Sequence, residues 1–123
     1  MAKIAIVDDS RLARTFTVGC LKKLGHELLE IDPTSVFEVL QTLRGLHPDL
    51  ILTDFLMPQC PGTSLVRSIR EDDSLKAAKI VVISAHHDDE IQARLIRMGV
   101  SAFLHKPFEP KALVEQVLTL LEA

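Results

Sequence analysis

The fold is decided by two short stretches of sequence, IAIVDD at residues 4–9 and DLILTD at residues 49–54. In each stretch a run of aliphatic residues ends in carboxylates. Such runs are typical of strands that are buried on both faces of a parallel sheet. Carboxylates directly after such strands lie at the carboxyl edge of the sheet, where open α/β folds place their binding sites. We therefore expect Asp8, Asp9 and Asp54 to share one site.

Two later apolar runs also end in polar side chains. Residues 80–83 read IVVI and precede Ser84, and residues 101–105 read SAFLH and precede Lys106. Three carboxylates in one crevice repel each other unless a positive charge offsets them. Mg²⁺ is suited to oxygen ligands, so we expect Mg²⁺ as the cofactor. Together with a hydroxyl and a lysine, these groups are suited to phosphoryl transfer.

The composition limits the class of protein. The chain has 123 residues, of which 47% are hydrophobic and 25% charged, as expected of one globular domain. The net charge of −3 predicts no binding to nucleic acid or to anionic membranes. No run approaches the roughly 20 apolar residues of a membrane span. No signal peptide is visible and the two cysteines form no disulfide framework, so we expect a cytoplasmic protein.

The apolar pattern predicts five alternations of strand and helix. The predicted strands span residues 3–7, 27–31, 50–53, 79–84 and 101–105, and the predicted helices span residues 10–24, 35–46, 63–72, 88–98 and 110–122. This order implies a parallel sheet with right-handed crossovers and helices on both faces.

Each predicted helix carries an apolar stripe that we expect to be buried. In chain order the stripes are Leu12, Phe16, Cys20 and Leu24; Val36, Phe37, Leu40 and Leu43; Leu65, Val66 and Ile69; Ile91, Leu95 and Met98; and Leu113, Val114, Val117, Leu118 and Leu121. Ser35 and Glu38 have the spacing of a capping box at the start of the second helix.

These landmarks resemble the receiver domain of two-component response regulators. The resemblance rests on five motifs, which occur in the family's order: Asp8-Asp9, the segment DFLMP at 54–58 with Gly62, Ser84-Ala85, Phe103, and Lys106-Pro107. Each motif alone is weak, but the five together are specific and cover the whole chain. The resemblance implies a flavodoxin-like (CheY-like) fold, an α/β three-layer sandwich with a five-stranded parallel sheet and five helices on its two faces.

The resemblance also implies a function in a phosphorelay. A histidine kinase or a histidine phosphotransfer protein would donate a phosphoryl group to Asp54, and the modified protein would switch its binding to a downstream partner. We expect Arg11, Leu12 and Arg14 of the first helix to dock the donor. The downstream partner would bind the face made by the fourth helix, the fifth strand and the fifth helix. We expect residues 1–123 to form a single receiver domain without an output domain.

The family implies a role for each carboxylate. Asp54 is the expected nucleophile, since carboxylates form acyl phosphates. Asp9, Asp54 and the main-chain carbonyl of Leu56 are expected to bind Mg²⁺ directly, and Asp8 through a metal-bound water. An N-cap of the first helix is the alternative role for Asp8 and Asp9.

The remaining landmarks are expected to act on the phosphoryl group. Lys106 would supply a positive charge to its oxygens, and Ser84 would donate a hydroxyl hydrogen bond. Phe103 is the candidate switch residue that moves inward with Ser84, although a plain core role is the alternative. Leu56 and His86 would flank the path of the hydrolytic water and set the lifetime of the phosphoryl group. The family also predicts a cis peptide bond between Lys106 and Pro107.

Two other motifs are ambiguous. The run HHDDE at residues 86–90 resembles a set of metal ligands, but no third ligand group has a matching spacing, so we interpret it as a solvated loop and helix start. Cys20 lies on a helix stripe and is expected in the core. Cys60 follows Asp54 in a loop, and the sequence leaves open whether its thiol is exposed and reactive.

Three other functions deserve comparison. A phosphatase with an aspartyl nucleophile would need a second carboxylate two residues later, where this chain has Leu56. A flavin carrier of the same fold would need a phosphate-binding loop after the first strand and aromatic residues, but the chain has no Trp or Tyr. An interaction module that is never phosphorylated would not need all five landmarks. We therefore expect no enzyme activity beyond Mg²⁺-dependent self-phosphorylation and autodephosphorylation.

Overall fold

The computed structural model describes residues 1–122, and over this range five strands alternate with five α-helices. The strands are β1 (Lys3–Val7), β2 (Glu27–Ile31), β3 (Leu50–Asp54), β4 (Lys79–Ser84) and β5 (Ala102–His105). The helices are α1 (Arg11–Leu21), α2 (Val36–Leu46), α3 (Gly62–Glu71), α4 (Asp89–Arg97) and α5 (Pro110–Glu122), and a short 3₁₀ turn, Lys22–Leu24, follows α1. None of the helices in this range is long and apolar enough to cross a membrane.

The strands form one parallel sheet in the order β2-β1-β3-β4-β5. The chain runs from β1 outward to β2 and then returns past β1 to β3, so the topological switch point lies between β1 and β3. Val7 pairs with Thr53 and Ser84 pairs with His105. The carboxyl ends of β1, β3, β4 and β5 therefore meet at one edge of the sheet. The predicted flavodoxin-like architecture is confirmed.

Two hydrophobic cores lie on opposite faces of the sheet. Successive side chains of a strand point to opposite faces, and the aliphatic strands therefore serve both cores. One core joins α2, α3 and α4 to Ala5, Val7, Ile51, Ile80 and Val82. The other joins α1 and α5 to Ile4, Ile6, Leu50, Leu52, Val81 and Ile83. This burial on both faces explains why the strands read as continuous aliphatic runs.

The predicted buried stripe of the first helix is wrong in its first half, whereas Cys20 and Leu24 are partly buried against the core. Leu12 and Phe16 are 82% and 47% exposed, and Cys20 is only half-buried. Thr17 and Leu21 are the buried residues of α1, and they lie about 100° around the helix from Phe16 and Cys20, respectively. Because apolar residues occupy two arcs of this helix, their spacing alone does not identify the arc that faces the sheet. The helix also ends at Leu21 rather than at residue 24, where the chain tightens into the 3₁₀ turn.

The stripes of the other helices are partly confirmed. In α3 all three predicted residues, Leu65, Val66 and Ile69, are buried. Three residues predicted to be buried are instead exposed, namely Phe37 at 64%, Leu118 at 40% and Ile91 at 36%. The buried arc of α2 is centred on Val39 and Leu43. Phe37 lies two residues before Val39, which corresponds to about 200° of helical rotation, so its side chain points away from the core. Half of the predicted capping box is present, since the N–H of Glu38 donates to Oγ of Ser35 at 3.0 Å.

The remaining differences concern the ends of elements. The predicted ranges differ by one residue from the observed ends of β3, α2, α3, α4 and β5. Such shifts reflect local capping, because Asp88 accepts hydrogen bonds from the N–H groups of Glu90 and Ile91 and so lies just outside α4.

Arg70 ties the end of α3 to the chain segments on either side of β4. Its Nε and Nη2 donate to the carbonyl of Gly99 at 3.1 and 2.7 Å. Its Nη1 donates to the carbonyls of Lys76 and Ala78 at 2.8 and 2.6 Å. One guanidinium thus binds three main-chain carbonyls and holds the turn that follows α4.

Candidate functional site

Three carboxylates converge at the switch point of the sheet. Asp8 and Asp9 follow β1, and Asp54 ends β3, the strand beside it. One oxygen from each of the three lies within 4.8 Å of the other two. Asp8 is buried at 7% exposure, Asp54 is half-buried and Asp9 is exposed. The structure therefore brings together all three carboxylates that the sequence predicted for one site.

Asp8 is held by several hydrogen bonds. Its side-chain Oδ1 accepts the N–H of Ser10 at 2.9 Å. Its carbonyl accepts Nη1 of Arg14 at 2.5 Å, and its own N–H donates to the carbonyl of Ile31 at 3.3 Å. Ser10 is the N-cap of α1, since its Oγ accepts the N–H of Ala13 at 3.2 Å. The alternative that Asp8 or Asp9 caps this helix is thus wrong.

Asp54 lies beside both positive and negative groups. Its Oδ1 accepts the N–H of Phe55 at 3.0 Å and lies 3.5 Å from Nζ of Lys106. The same Nζ is 3.9 Å from Oδ2 of Asp8. Burial raises the pKa of Asp54, and the charge of Asp8 acts in the same direction, whereas Lys106 and the Phe55 N–H lower it without reversing the shift. The ionised form of Asp54 is thus incompletely stabilised by its protein neighbours.

The three carboxylates fit a magnesium ion. They carry three negative charges, and Lys106 is the one cation that forms ion pairs with them among residues 1–122. A divalent cation would offset the excess negative charge, and hard oxygen ligands are those that Mg²⁺ prefers.

Ser84 and Lys106 occupy the neighbouring strand ends. Ser84 is buried, and its carbonyl accepts the N–H of Lys106 at 2.8 Å. Its Oγ accepts the N–H of His86 at 3.0 Å, which leaves the hydroxyl hydrogen free to donate to another group. The Lys106–Pro107 peptide bond is cis, as predicted. Lys106 contacts two site carboxylates and is therefore part of the site rather than an ordinary solvated loop lysine.

A known family model covers all of these landmarks. The model of the response regulator receiver domain matches residues 4–118. The chain belongs to the response regulator receiver family. It is 30% identical to the chemotaxis protein CheY of Thermotoga maritima over 113 residues, which cover 92% of each protein. The receiver domain also superposes on chemotaxis response regulator CheY4 of Vibrio cholerae with a TM-score of 0.87, at 26% identity and with 98% of each chain covered.

Several relatives of this receiver domain are longer proteins. The chain is 29% identical to the phosphate regulon transcriptional regulatory protein PhoB of Pseudomonas aeruginosa over 118 residues. That match covers 96% of the chain but 51% of PhoB. A second match, to hybrid signal transduction histidine kinase D of Dictyostelium discoideum, also has 29% identity and covers 7% of that protein. Receiver sequences of this kind therefore occur both as most of a protein and as a part of one.

Phe103 of the receiver domain lies between the site and α4. It is half-buried on β5 and packs against the core that α2, α3 and α4 share. Together with Ser84, Leu95 and other residues it lines a cavity of about 20 Å³. The ring is therefore placed next to the hydroxyl that is expected to move, and it also contributes to the core.

Leu56 and His86 lie in the loops that follow β3 and β4, two residues beyond Asp54 and Ser84 respectively. Leu56 is 54% exposed, and His86 is also exposed. The neighbouring His87 stacks on His105, with ring centroids 4.1 Å apart and an angle of 20° between the planes. Residues 86–90 are exposed, and α4 begins at Asp89 with Asp88 as its N-cap, as the interpretation as a solvated loop and helix start predicts.

The loop after Asp54 folds back on itself. The N–H of Cys60 donates to the carbonyl of Met57 at 3.1 Å, and Gly62 donates to the carbonyl of Phe55 at the same distance. A Cβ at Gly62 would lie 2.8 Å from that carbonyl oxygen, which explains the glycine. Cys60 is fully buried, and burial raises the pKa of its thiol. The thiol is therefore neither exposed nor activated for reaction.

An apolar groove borders the site on the side of α1. It has a volume of about 660 Å³ and runs from Asp8 and Lys106 along α1. The exposed residues Leu12 and Phe16 line it, and the rings of Phe16 and Phe108 lie 5.8 Å apart. Leu12 was predicted both in the buried stripe and in a donor contact, and the groove itself was not predicted because Phe16 was expected to be buried in the core.

Arg14, which was predicted to contact a donor protein, has a side chain directed toward the carboxyl ends of β1 and β2. Its side chain is only 12% exposed, so it is turned inward rather than presented to a donor protein. The available signal was its position near the start of the helix that follows Asp8-Asp9, but spacing alone does not show which way a long side chain points.

Proposed function

We propose that this receiver domain accepts a phosphoryl group on Asp54 from a histidine kinase or a histidine phosphotransfer protein, and that the modification switches its binding to a downstream partner protein. The observation that carries the proposal is the convergence of Asp54 with Asp8, Asp9 and Lys106 at one sheet edge. Family membership supports the same reaction.

In the proposed reaction a carboxylate oxygen of Asp54 attacks the phosphorus atom. The new oxygen–phosphorus bond forms as the phosphorus–nitrogen bond to the donor histidine breaks, and the leaving imidazole takes up a proton. Asp8, Asp9, Asp54 and the carbonyl of Leu56 would hold Mg²⁺, which would offset the negative charge of the phosphoryl oxygens. Positioning and charge stabilisation, rather than acid–base chemistry, account for most of the catalysis.

Lys106 and Ser84 would then hold the product. Lys106 already lies within 3.9 Å of two site carboxylates, so its ammonium needs only a small shift to reach the phosphoryl oxygens. The hydroxyl hydrogen of Ser84 is free to donate to the same oxygens. Because Ser84 and Phe103 line one small cavity beside α4, a shift of Ser84 would be felt first on the face made by α4, β5 and α5. We place the downstream partner on this face.

The groove along α1 is the proposed contact for the donor. It leads directly to Asp8 and Lys106, and Leu12 exposes 82% of its surface there. An exposed apolar surface next to the reactive carboxylate suits a partner that must bring a histidine to Asp54. Arg11, which is exposed, and Leu12 remain in this proposed contact, whereas Arg14, whose side chain is directed inward, is removed from it.

The proposed activity is limited to the protein itself. We propose Mg²⁺-dependent self-phosphorylation and autodephosphorylation, with no turnover of outside substrates. Leu56 supports this limit, because a leucine cannot act as the general acid that an aspartyl phosphatase needs two residues after its nucleophile. We place the protein in the cytoplasm, where receiver domains meet their kinases.

Intact-mass spectrometry after incubation with acetyl phosphate and Mg²⁺ tests the proposal. The unmodified protein should gain the mass of one phosphoryl group, and Asp54→Asn should gain none. Asp73→Asn is the matched control, because Asp73 has a side chain that is 96% exposed and lies outside the site. Asp54→Asn protein that still gains a full phosphoryl group would exclude Asp54 as the acceptor.

A further inference from the structure

Arg14 is an inward-facing cation at the edge of the carboxylate site. It projects from α1, and its side chain is 12% exposed. Nη1 donates to the carbonyl of Asp8 at 2.5 Å and lies 3.7 Å from Oδ1 of Asp32. Nε lies 3.4 Å from Oε1 of Glu30. One guanidinium therefore connects α1 to the carboxyl ends of β1 and β2.

The contact with the Asp8 carbonyl is the strongest of the three. It is short and charge-assisted. Glu30 and Asp32 have side chains that are 47% and 67% exposed, and solvent weakens ion pairs of this kind. The Nε atom is buried and makes no hydrogen bond, so the approach to Glu30 is electrostatic only. The guanidinium is therefore anchored mainly to the main chain of Asp8.

The anchored carbonyl belongs to the peptide that joins Asp8 to Asp9. The other two polar groups of Asp8 that point into the protein are also held, since its N–H donates to Ile31 and its Oδ1 accepts from Ser10. Fixing the plane of this peptide restricts the directions in which both carboxylates can leave the main chain. Arg14 thus acts on two neighbouring site residues without touching either carboxylate.

We propose that Arg14 is a positioning residue for the magnesium site. By fixing the peptide between Asp8 and Asp9, it orients the two carboxylates for the cation. The role rests on the proposed function, because it requires these carboxylates to hold Mg²⁺. Residues that orient metal ligands through hydrogen bonds commonly change metal affinity by about 10–100-fold when they are replaced.

The Coulomb effect of Arg14 has the opposite sign, which makes the proposal testable. A positive charge near the site repels Mg²⁺, so removing only that charge would tighten binding. Loss of orientation would weaken it. Arg14→Lys keeps the charge but replaces the planar fork by a single ammonium, which cannot reproduce the same set of contacts. Lysine therefore isolates orientation from charge, whereas Arg14→Met changes both.

The experiment is calorimetric titration of Mg²⁺ into the purified protein at low and at high salt, where high salt screens the Coulomb contribution. We expect Arg14→Lys to bind Mg²⁺ about tenfold more weakly than the unmodified protein. Arg44→Lys is the matched control, because Arg44 contacts Asp72 at 2.5 Å between α2 and the end of α3, away from the three carboxylates. It should bind Mg²⁺ with unchanged affinity.

Denaturation midpoints in EDTA accompany the titration, because a merely structural role would lower stability in Arg14→Lys without changing the affinity of folded protein for Mg²⁺. Unchanged affinity in Arg14→Lys, or tighter binding by Arg14→Met at high salt, would overturn the positioning role. Asp9→Asn separates the two proposals. If Asp9→Asn loses Mg²⁺ binding while Arg14→Lys retains it, the magnesium site stands and the role of Arg14 is rejected. If the unmodified protein binds no Mg²⁺, both are rejected.

Discussion

Nζ of Lys106 lies 3.5 Å from Oδ1 of Asp54, the same oxygen that accepts the N–H of Phe55. Both contacts favour the ionised carboxylate, yet burial and the nearby Asp8 still raise the pKa of Asp54. The site therefore holds a charge that the fold does not fully stabilise. A cation or a phosphoryl group with its magnesium would change this balance, and the protein's stability should report it.

The first prediction concerns Asp54→Asn in metal-free buffer. Because the pKa is raised, the native state binds more protons than the unfolded state at pH values between the ordinary pKa of 3.8 and the raised pKa, so this carboxylate lowers stability as the pH rises through that range. The neutral amide removes the cost. We expect a higher urea midpoint than for the unmodified protein at pH 7, and a difference that shrinks as the pH falls toward 3.8. A lower midpoint at pH 7 would contradict this.

The second prediction concerns stabilisation by magnesium. A cation that binds only the native state raises the free energy of unfolding, by about 1.4 kcal/mol at a concentration ten times its Kd. Millimolar Mg²⁺ should therefore raise the urea midpoint of the unmodified protein. In Asp9→Asn the rise should be much smaller, since a proposed ligand is lost. An equal rise in both proteins would place the cation elsewhere.

A third prediction concerns Asp72, far from the proposed site. Hydrogen bonds from Ser74 and Arg44 lower the pKa of Asp72 to about 2. A lowered pKa adds stability that is present above the ordinary value of 3.8 and is lost as the pH falls through about 2. We expect Asp72→Asn to lower the urea midpoint at pH 6 and to converge with the unmodified protein near pH 2. Constant destabilisation at both values would mean that the charge is not responsible.

The fourth prediction concerns the lifetime of the phosphoryl group. Leu56 has no side-chain donor or acceptor to position a water, and it is exposed two residues beyond Asp54. Leu56→Asn should therefore speed hydrolysis, and a tenfold change would correspond to roughly 1.4 kcal/mol of barrier. The phosphorylated fraction can be followed by intact mass after the donor is removed. If decay is equal or slower and His86→Ala changes it instead, His86 controls the lifetime.

The fifth prediction concerns the output face. A beryllium fluoride phosphate analogue should shift backbone NMR resonances mainly within residues 86–108, because Ser84 and Phe103 share a cavity beside α4. Ser84→Ala should reduce these shifts while analogue binding at Asp54 persists. Shifts confined to α2 and β2 would remove the proposed path from the site to this face.

The strands and the site were predictable from sequence for one physical reason. A strand in the middle of a parallel sheet is buried on both sides, so its residues are aliphatic without interruption and the next polar residue marks the sheet edge. That signal located Asp8, Asp54 and Ser84, all of which the structure brings to one edge. The chemical roles of these residues were predicted from the family motifs, because the aliphatic pattern alone does not indicate what each polar residue does.

The buried faces of the helices were less predictable. Leu12 and Phe16 of α1, and Phe37 of α2, are apolar but exposed. Hydrophobic spacing identifies an arc of a helix, yet it cannot tell a core arc from an apolar binding surface. The inward orientation of Arg14 was not predictable for a related reason, because a long side chain can be either solvated or turned inward, and only the position of the Asp8 carbonyl decides between them.

The hydrogen bonds of Arg70 have a consequence for how α4 can move. Two of them hold the carbonyl of Gly99, just beyond the last turn of the helix. The first turn is instead joined to Ser84 through the exposed loop that contains His86. Motion of α4 would therefore be most restricted at its last turn and largest at its first turn. A shift of Ser84 would displace the residues near 89 most, so a partner that binds the first turn of α4 would respond to the phosphoryl group, and one that binds the last turn would not.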